Sequence, residues 1–461
     1  MAGRAATDRV IRGRHAISVN DPGHPIPKGW QRVALGDVAD LGTGHTPSRH
    51  HPEYWDGGIP WIGIRDAGAN HGGVIEDTMQ TVSDLGLTNS AARLLPKDTV
   101  CLSRTASVGY VVKLGREMAT SQDFVTWSCL DPLDADFLMN ALLAEGQDIR
   151  RFGEGSTHTT IYFPEVKAFH IDLPPKAEQR RIVAKLDALT ARLARARAEL
   201  DRVLVLADRI RAAVLLKAFS GALAGLDVVT ELPCDHWIAS TFYGPRFSKD
   251  DYVSDGVPTA RTTDFNDDGS MSLASAPRVA CSPSDFAKWG LVEGDLLVTR
   301  TGSIGKCAVY DPSDGAVLPS AYLIRVRFTS EIITRFAWMM FASPQGQTHL
   351  GVNSRAVTQP NINASAIRSL PFPVLTLDEQ MATIRAVDTA LARADRLEAE
   401  AARARALVDR LESAILAKAF RGELVPQDPN DEPASVLLDR IRAERAAAPK
   451  PKRGRRAAAS A

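Results

Sequence analysis

Two short segments carry the side chains best suited to grip an anion or a base edge. Arg104-Thr105-Ala106-Ser107-Val108-Gly109 and Arg300-Thr301-Gly302-Ser303-Ile304-Gly305 share one pattern, a guanidinium and two hydroxyls on a loop bent by glycine. Each follows an apolar run, Val100-Cys101-Leu102 or Leu296-Leu297-Val298, that reads as a strand. An arginine there can reach a phosphate or a guanine edge. It can equally pair with a nearby carboxylate, Asp98 or Asp295. Three further polar loops have the same character. They are Thr43, Thr46 and Arg49 in residues 43–49, Ser156, Thr157, His158 and Thr159 in 153–160, and Asn353, Arg355, Gln359 and Asn361 in 353–361. Asn and Gln suit adenine, and hydroxyls suit any base; the plainer reading is solvated loops.

Covalent chemistry finds no comparable support. The sequence has neither a phosphate-binding G-x-x-x-x-G-K-[ST] loop nor a helix-borne H-E-x-x-H zinc motif. It also lacks a nucleotide-cofactor loop followed by a polar-Pro-Pro-aromatic tetrad, as a methyltransferase needs. Glu165-Val166-Lys167 could hold magnesium in a nuclease. Its counterpart is Ala366-Ile367-Arg368, so a solvated strand edge is expected instead. His45, His50 and His51 near Glu53 and Asp56 read as scattered loop residues rather than a metal site. Of the five cysteines no two are spaced C-x-x-C, which argues against a zinc ribbon or a disulfide framework and favours a reducing cytoplasm. The expectation is no catalytic residue, no metal and no cofactor in this chain.

What positions the loops is a repeat. Glu178-Gln179 recurs as Glu379-Gln380, and Lys217-Ala218-Phe219 recurs as Lys418-Ala419-Phe420, both 201 residues on. Between these points the register holds without a gap. In the first copy Ile182, Leu186, Leu189, Leu193, Leu200, Val203, Ile210 and Val214 follow a 4-3-4-3 spacing with intervening alanines. Val387, Leu397, Val408, Leu411 and Ile415 hold the same line in the second. That is the seam of a coiled coil. Each helix is expected to begin after prolines, the second with Asp378 as its N-cap, and to stop at Gly221 or Gly422. About 33 residues of seam make a rod of roughly 50 Å.

The chain therefore divides into a poorly ordered leader (1–25), a first globe (26–173), a helix (174–222), a second globe (223–371), a second helix (372–424) and a tail (425–461). The tail is expected to hold a short helix and a basic end, 449–456, that solubilises or touches phosphate. With 461 residues two α+β globes are comfortable. Lys and Arg number 55 and Asp and Glu 55, so net charge is zero, whereas a lone nucleic-acid binder is usually basic. If DNA is the ligand, a partner is expected to supply much of the phosphate contact. No run is long and apolar enough to span a membrane.

Specific motifs point further. Pro27-Lys28-Gly29-Trp30, Gly42-Thr43-Gly44-His45-Thr46-Pro47, Tyr54-Trp55 with Gly58-Ile59-Pro60-Trp61, Leu173-Pro174-Pro175 with Glu178-Gln179-Arg180-Arg181-Ile182, and the terminal Lys-Ala-Phe-x-Gly runs stand in this order. Together, over about residues 26–424, they resemble the specificity subunits of type I restriction–modification systems. The second globe departs, with Phe242-Tyr243-Gly244-Pro245 in place of the Gly-Thr-Gly run. The resemblance implies a non-catalytic subunit whose globes are target-recognition domains, each reading half of a split, asymmetric site in double-stranded DNA. It implies that the helices pack as an antiparallel coiled coil and dock two methyltransferase subunits. S-adenosylmethionine, ATP and Mg would sit on partner subunits, which modify adenine and, with restriction subunits, cut DNA. The competing reading from the residues is a coiled-coil scaffold with two protein-binding globes.

Overall fold

The computed structural model describes residues 5–105, 107–155, 159–225, 230–302, 304–351 and 362–447. The chain forms two compact units, one of residues 1–197 with 406–461 and one of residues 198–405. This division differs from a globe-and-rod one, because each unit takes one globe together with part of both long helices.

In the first unit the central sheet has five strands in the order Ala39–Thr43, Phe124–Cys129, Val100–Ser103, Val111–Leu114, Val74–Ile75. Its apolar runs do not alternate with polar residues, because both faces are covered. Val100, Leu102, Val125 and Trp127 point into the main core with the helix Ala135–Glu145. Cys101, Val112, Leu114 and Phe124 point into a second, smaller core. The second unit repeats this frame in four strands, Ile238–Tyr243, Leu323–Phe328, Asp295–Thr299, Cys307–Val309, again with one core on each face. A short parallel pairing also recurs, Trp61 and Ile62 beside Ala119 and Thr120, and Thr259 and Ala260 beside Leu318 and Pro319.

The expected poorly ordered leader is instead part of the fold. Ile11–Arg12 and Ile17–Val19 extend the sheet formed by Phe169–Leu173 and Gln31–Ala34, with Ile17 and Val19 buried. The fully buried Glu145 carboxylate holds this segment. It accepts the backbone N–H groups of Arg14, His15, Ala16 and Ile17 at 2.5–3.0 Å. Strands of two and three residues carry too little pattern to be read from sequence.

The long helices run Lys176–Phe219 and Leu377–Ala419, and Gly221 and Gly422 follow with left-handed φ of 72° and 70°. The second helix is capped by Thr376 rather than Asp378. Its hydroxyl accepts the Glu379 N–H while the Glu379 carboxylate accepts the Thr376 N–H, a reciprocal box. Gln179 and Gln380 lie wholly buried and lock each helix to its globe. The Gln179 amide donates to the carbonyls of Pro132 and Pro174 at 2.7 and 2.9 Å and accepts from the Asp134 N–H at 2.8 Å. Gln380 does the same with Glu331, Leu375 and Ile333 at 2.8, 3.0 and 2.9 Å.

Within each unit the helices are tied by ion pairs. In the first, Arg197 binds Asp409 and Glu412 at 2.7 and 2.6 Å. In the second, Arg211 binds Asp395 and Glu398 at 2.7 and 2.5 Å, and Arg405 binds Asp201 at 2.6 Å. Ile182, Leu186, Leu193 and Val387 of the expected seam are buried. Ile210, Leu397 and Leu411 are not, with 36%, 42% and 52% of their surface exposed. The buried residues in this stretch are Ala207, Ala394 and Ala401 instead. The tail helix Ala434–Ala447 buries Ala434 and Leu438 in the first unit's core, beside the Arg181–Asp431 ion pair at 2.6 Å. No helix among the described residues is long and apolar enough to cross a membrane.

Candidate nucleic-acid interface

In the first unit the turn Ser121-Gln122-Asp123 draws the expected polar loops together. Arg104 N–H donates to the Asp123 carbonyl at 2.8 Å, and the Arg104 guanidinium donates to the Gln122 carbonyl at 3.0 Å. Thr105 donates to the Asp123 carboxylate and Thr46 to the Gln122 amide oxygen, each at 2.5 Å. His45 N–H reaches the Thr120 carbonyl at 2.9 Å. The loop 43–46 can lie so close only because residue 44 is glycine. A Cβ there would stand 1.9 Å from the Thr120 oxygen. Ile161 N–H binds the Arg104 carbonyl at 2.9 Å, which brings the end of the segment 153–160 close to the same loop.

Arg104 is half-buried. Its guanidinium lies 4.9 Å from the Phe163 ring centre, and burial lowers its pKa against the opposing pull of Asp123. Its Nε has no partner among the described residues. Asp98 does not hold it, since that carboxylate faces Lys113 at 3.7 Å. Arg49 stacks 3.8 Å over Trp55 and donates to the Gln80 amide oxygen at 2.9 Å. Thr43 is spent on the fold, donating to the Phe124 carbonyl, and Ser107 gives its carbonyl to the Ser103 hydroxyl.

The second unit builds the same frame. Arg300 N–H donates to the Tyr322 carbonyl at 3.0 Å, and Ile362 N–H to the Arg300 carbonyl at 3.1 Å. The Arg300 guanidinium lies 4.8 Å from the Tyr243 ring centre, while Asp295 is held by Arg327 at 2.7 and 2.8 Å. Gly244 takes the part of Gly44, since a Cβ there would meet the Ser320 oxygen at 2.1 Å. So Phe242-Tyr243-Gly244-Pro245 keeps the one glycine the frame requires. Thr301 lies on this loop. Ser303, Ser156, Thr157, His158, Asn353, Arg355, Gln359 and Asn361 lie outside the described residues. Gln122, Asp123, Tyr243 and Tyr322 were not singled out from the sequence. The signal that could have found them is the aligned pair Thr120-Ser121-Gln122-Asp123-Phe124 and Pro319-Ser320-Ala321-Tyr322-Leu323.

Glu165 sits on the short helix Phe163–Lys167, buried 4.0 Å from Arg9, and not on a solvated strand edge. Among the described residues no three His, Cys, Asp or Glu side chains gather as a metal would need. Burial pushes the Cys129 thiol up to about 12, far from thiolate reactivity at neutral pH.

One α+β frame built twice, each copy carrying an arginine-bearing loop and joined to a long helix, defines a duplicated protein. Residues 27–202 match the family model described as the type I restriction modification DNA specificity domain. The chain is 30% identical to the EcoKI specificity subunit of Escherichia coli K12 over 454 residues, covering 92% of this chain and 97% of that one. It is also 30% identical over 311 residues to the Escherichia coli EcoBI specificity subunit, 65% of whose length is covered. The crystal structure of the HsdS subunit from Thermoanaerobacter tengcongensis superposes with a TM-score of 0.57 at 20% identity, over 87% of this chain and 99% of that one. A chain from a structure of the type I R-M system gives 0.68 at 20% identity, over 87% and 100%. The protein belongs to the specificity subunits of type I restriction–modification enzymes.

Proposed function

We propose that this chain reads a two-part, asymmetric site in double-stranded DNA, one half with each unit, and docks two methyltransferase subunits and, where present, restriction subunits. The observation that carries this reading is the repeated frame with unlike side chains, Gln122 and Asp123 in one unit and Ala321 and Tyr322 in the other. One frame with different readers suits two different half-sites. The helices then act as an antiparallel coiled-coil spacer. The fall of partner number from 405 to 395 as the first helix advances from Asp201 to Arg211 supports that direction. Leu204, Val205, Leu206 and Leu407 are exposed on the helices and offer apolar contact to a partner.

The chain itself does no bond chemistry on this reading. S-adenosylmethionine, ATP and Mg belong to partner subunits in the cytoplasm, which also neutralise the DNA backbone that a chain of zero net charge leaves unmatched. The test is to assemble the chain with an adenine methyltransferase subunit, modify genomic DNA and sequence the methylated adenines. The expected result is one motif of two fixed halves around a run of unspecified bases. A scaffold with protein-binding globes predicts no motif and no DNA retention with or without the methyltransferase.

A further inference from the structure

We infer that the turn at Gln122-Asp123 and its counterpart at Ala321-Tyr322 select the bases, and that Gln122 and Tyr322 are specificity-determining residues. This rests on the DNA-reading function proposed above. The two turns are held alike by backbone. Ser121 N–H donates to the Ile62 carbonyl at 3.0 Å and Ser320 N–H to the Ala260 carbonyl at 3.1 Å. Phe124 N–H returns to the Ser121 carbonyl at 3.3 Å, as Leu323 N–H returns to Ser320 at 3.0 Å. The bonds from Arg104 and Arg300 to the two turns match as well. A backbone fixed this way twice leaves only the side chains free to differ.

Those side chains differ in the way a reader needs. Gln122 is exposed, and Thr46 donates to its amide oxygen at 2.5 Å. That bond orients the amide and leaves both N–H donors without a partner among the described residues. A pair of outward donors matches an acceptor edge, of which guanine O6 and N7 is the fullest in the major groove. Tyr322 is 58% exposed and offers a ring face and one hydroxyl, suited to a thymine methyl or an exposed base face. Asp123 is a positioning residue, since its carboxylate is occupied by Thr105 and Ser121. The unlike chemistry of Gln122 and Tyr322 predicts unlike half-sites.

The experiment maps methylated adenines for complexes of the full chain with its methyltransferase, carrying Gln122→Ala, Gln122→Glu or Tyr322→Ala. Gln122→Ala is expected to relax one base position of one half-site by about 10- to 100-fold. Gln122→Glu keeps the oxygen that Thr46 needs but removes the donors, so it shifts that same position with thermal stability unchanged. Tyr322→Ala alters the other half-site alone. Wild-type motifs at full modification in all three variants would overturn the inference. So would a uniform loss of modification in variants that still fold and bind the methyltransferase, which would make the turns a source of affinity and not of choice. If the wild-type complex yields no two-part motif, it is the proposed function that fails.

Discussion

Replacing Gln179 by alanine is expected to lower the stability of the first unit by about 3–4 kcal/mol, and Gln380→Ala to do the same to the second. Each side chain is wholly buried and makes three hydrogen bonds to backbone groups, one in the segment just before the long helix (Pro174 or Leu375) and two in a loop of the globe (Pro132 and Asp134, or Glu331 and Ile333). A buried hydrogen bond contributes about 1 kcal/mol, and each partner stranded in the interior adds its own desolvation cost. For units of this size the loss corresponds to a fall of about 10 °C in melting temperature. Hydrogen exchange should place the damage in residues 131–134 for the first variant and 331–333 for the second. A cost under about 1 kcal/mol would show that the amides merely fill space. The helix and the recognition unit are joined at these glutamines, so the same variants test whether the globe is held rigidly on its helix.

Glu145→Ala carries the other large effect. The carboxylate accepts the backbone N–H groups of three consecutive residues, Arg14, His15 and Ala16, and also that of Ile17. Removing it strands several buried donors, at a cost on the order of 4 kcal/mol. Residues 5–19 should then leave the sheet edge and become sensitive to proteolysis while the rest of the unit stays folded. Glu145→Gln keeps one accepting oxygen and should fall between alanine and the native residue. Equal protease resistance in all three proteins would contradict the assigned role. Among the described residues this segment has no counterpart in the second unit, where the matching sheet holds Glu231–Pro233 and Pro371–Pro373.

The long helices were the most legible part of the chain, because forty-odd residues of constant register leave one reading. Their seam was less so. A 4-3-4-3 count treats Ile210, Leu397 and Leu411 as equal to Ala207 and Ala394, but in the structure the alanines are buried and the larger side chains exposed. The Glu-Gln pair was visible as a repeat, yet its use as a clamp depends on three backbone groups that no side-chain pattern reports. The leader was misread because its strands are two and three residues long and its anchor, Glu145, lies more than 120 residues away.

The interface was half legible. Arg104 and Arg300 stand out as candidates from their shared loops, and the structure gathers Thr46, Thr105 and Arg104 on one turn. What escaped was that turn itself. Gln122 stands in the short polar run Thr120-Ser121-Gln122-Asp123 between apolar strands and Tyr322 in no polar run at all, so it is the alignment of the two copies that marks them. Arg104 also proved half-buried, with its guanidinium partly committed to the Gln122 carbonyl, so it braces the turn.

The central claim is that two units read two half-sites whose separation the helices set. The most direct test inserts seven residues, two helical turns, into both long helices beside Asp201 and Arg405, which pair at 2.6 Å, and maps the methylated sites. Seven residues add about 10 Å of helix, or about three base pairs at roughly 3.4 Å each. Both half-sites should keep their sequences while the unspecified run between them lengthens by about three. Altered half-sites around an unchanged run would contradict the account.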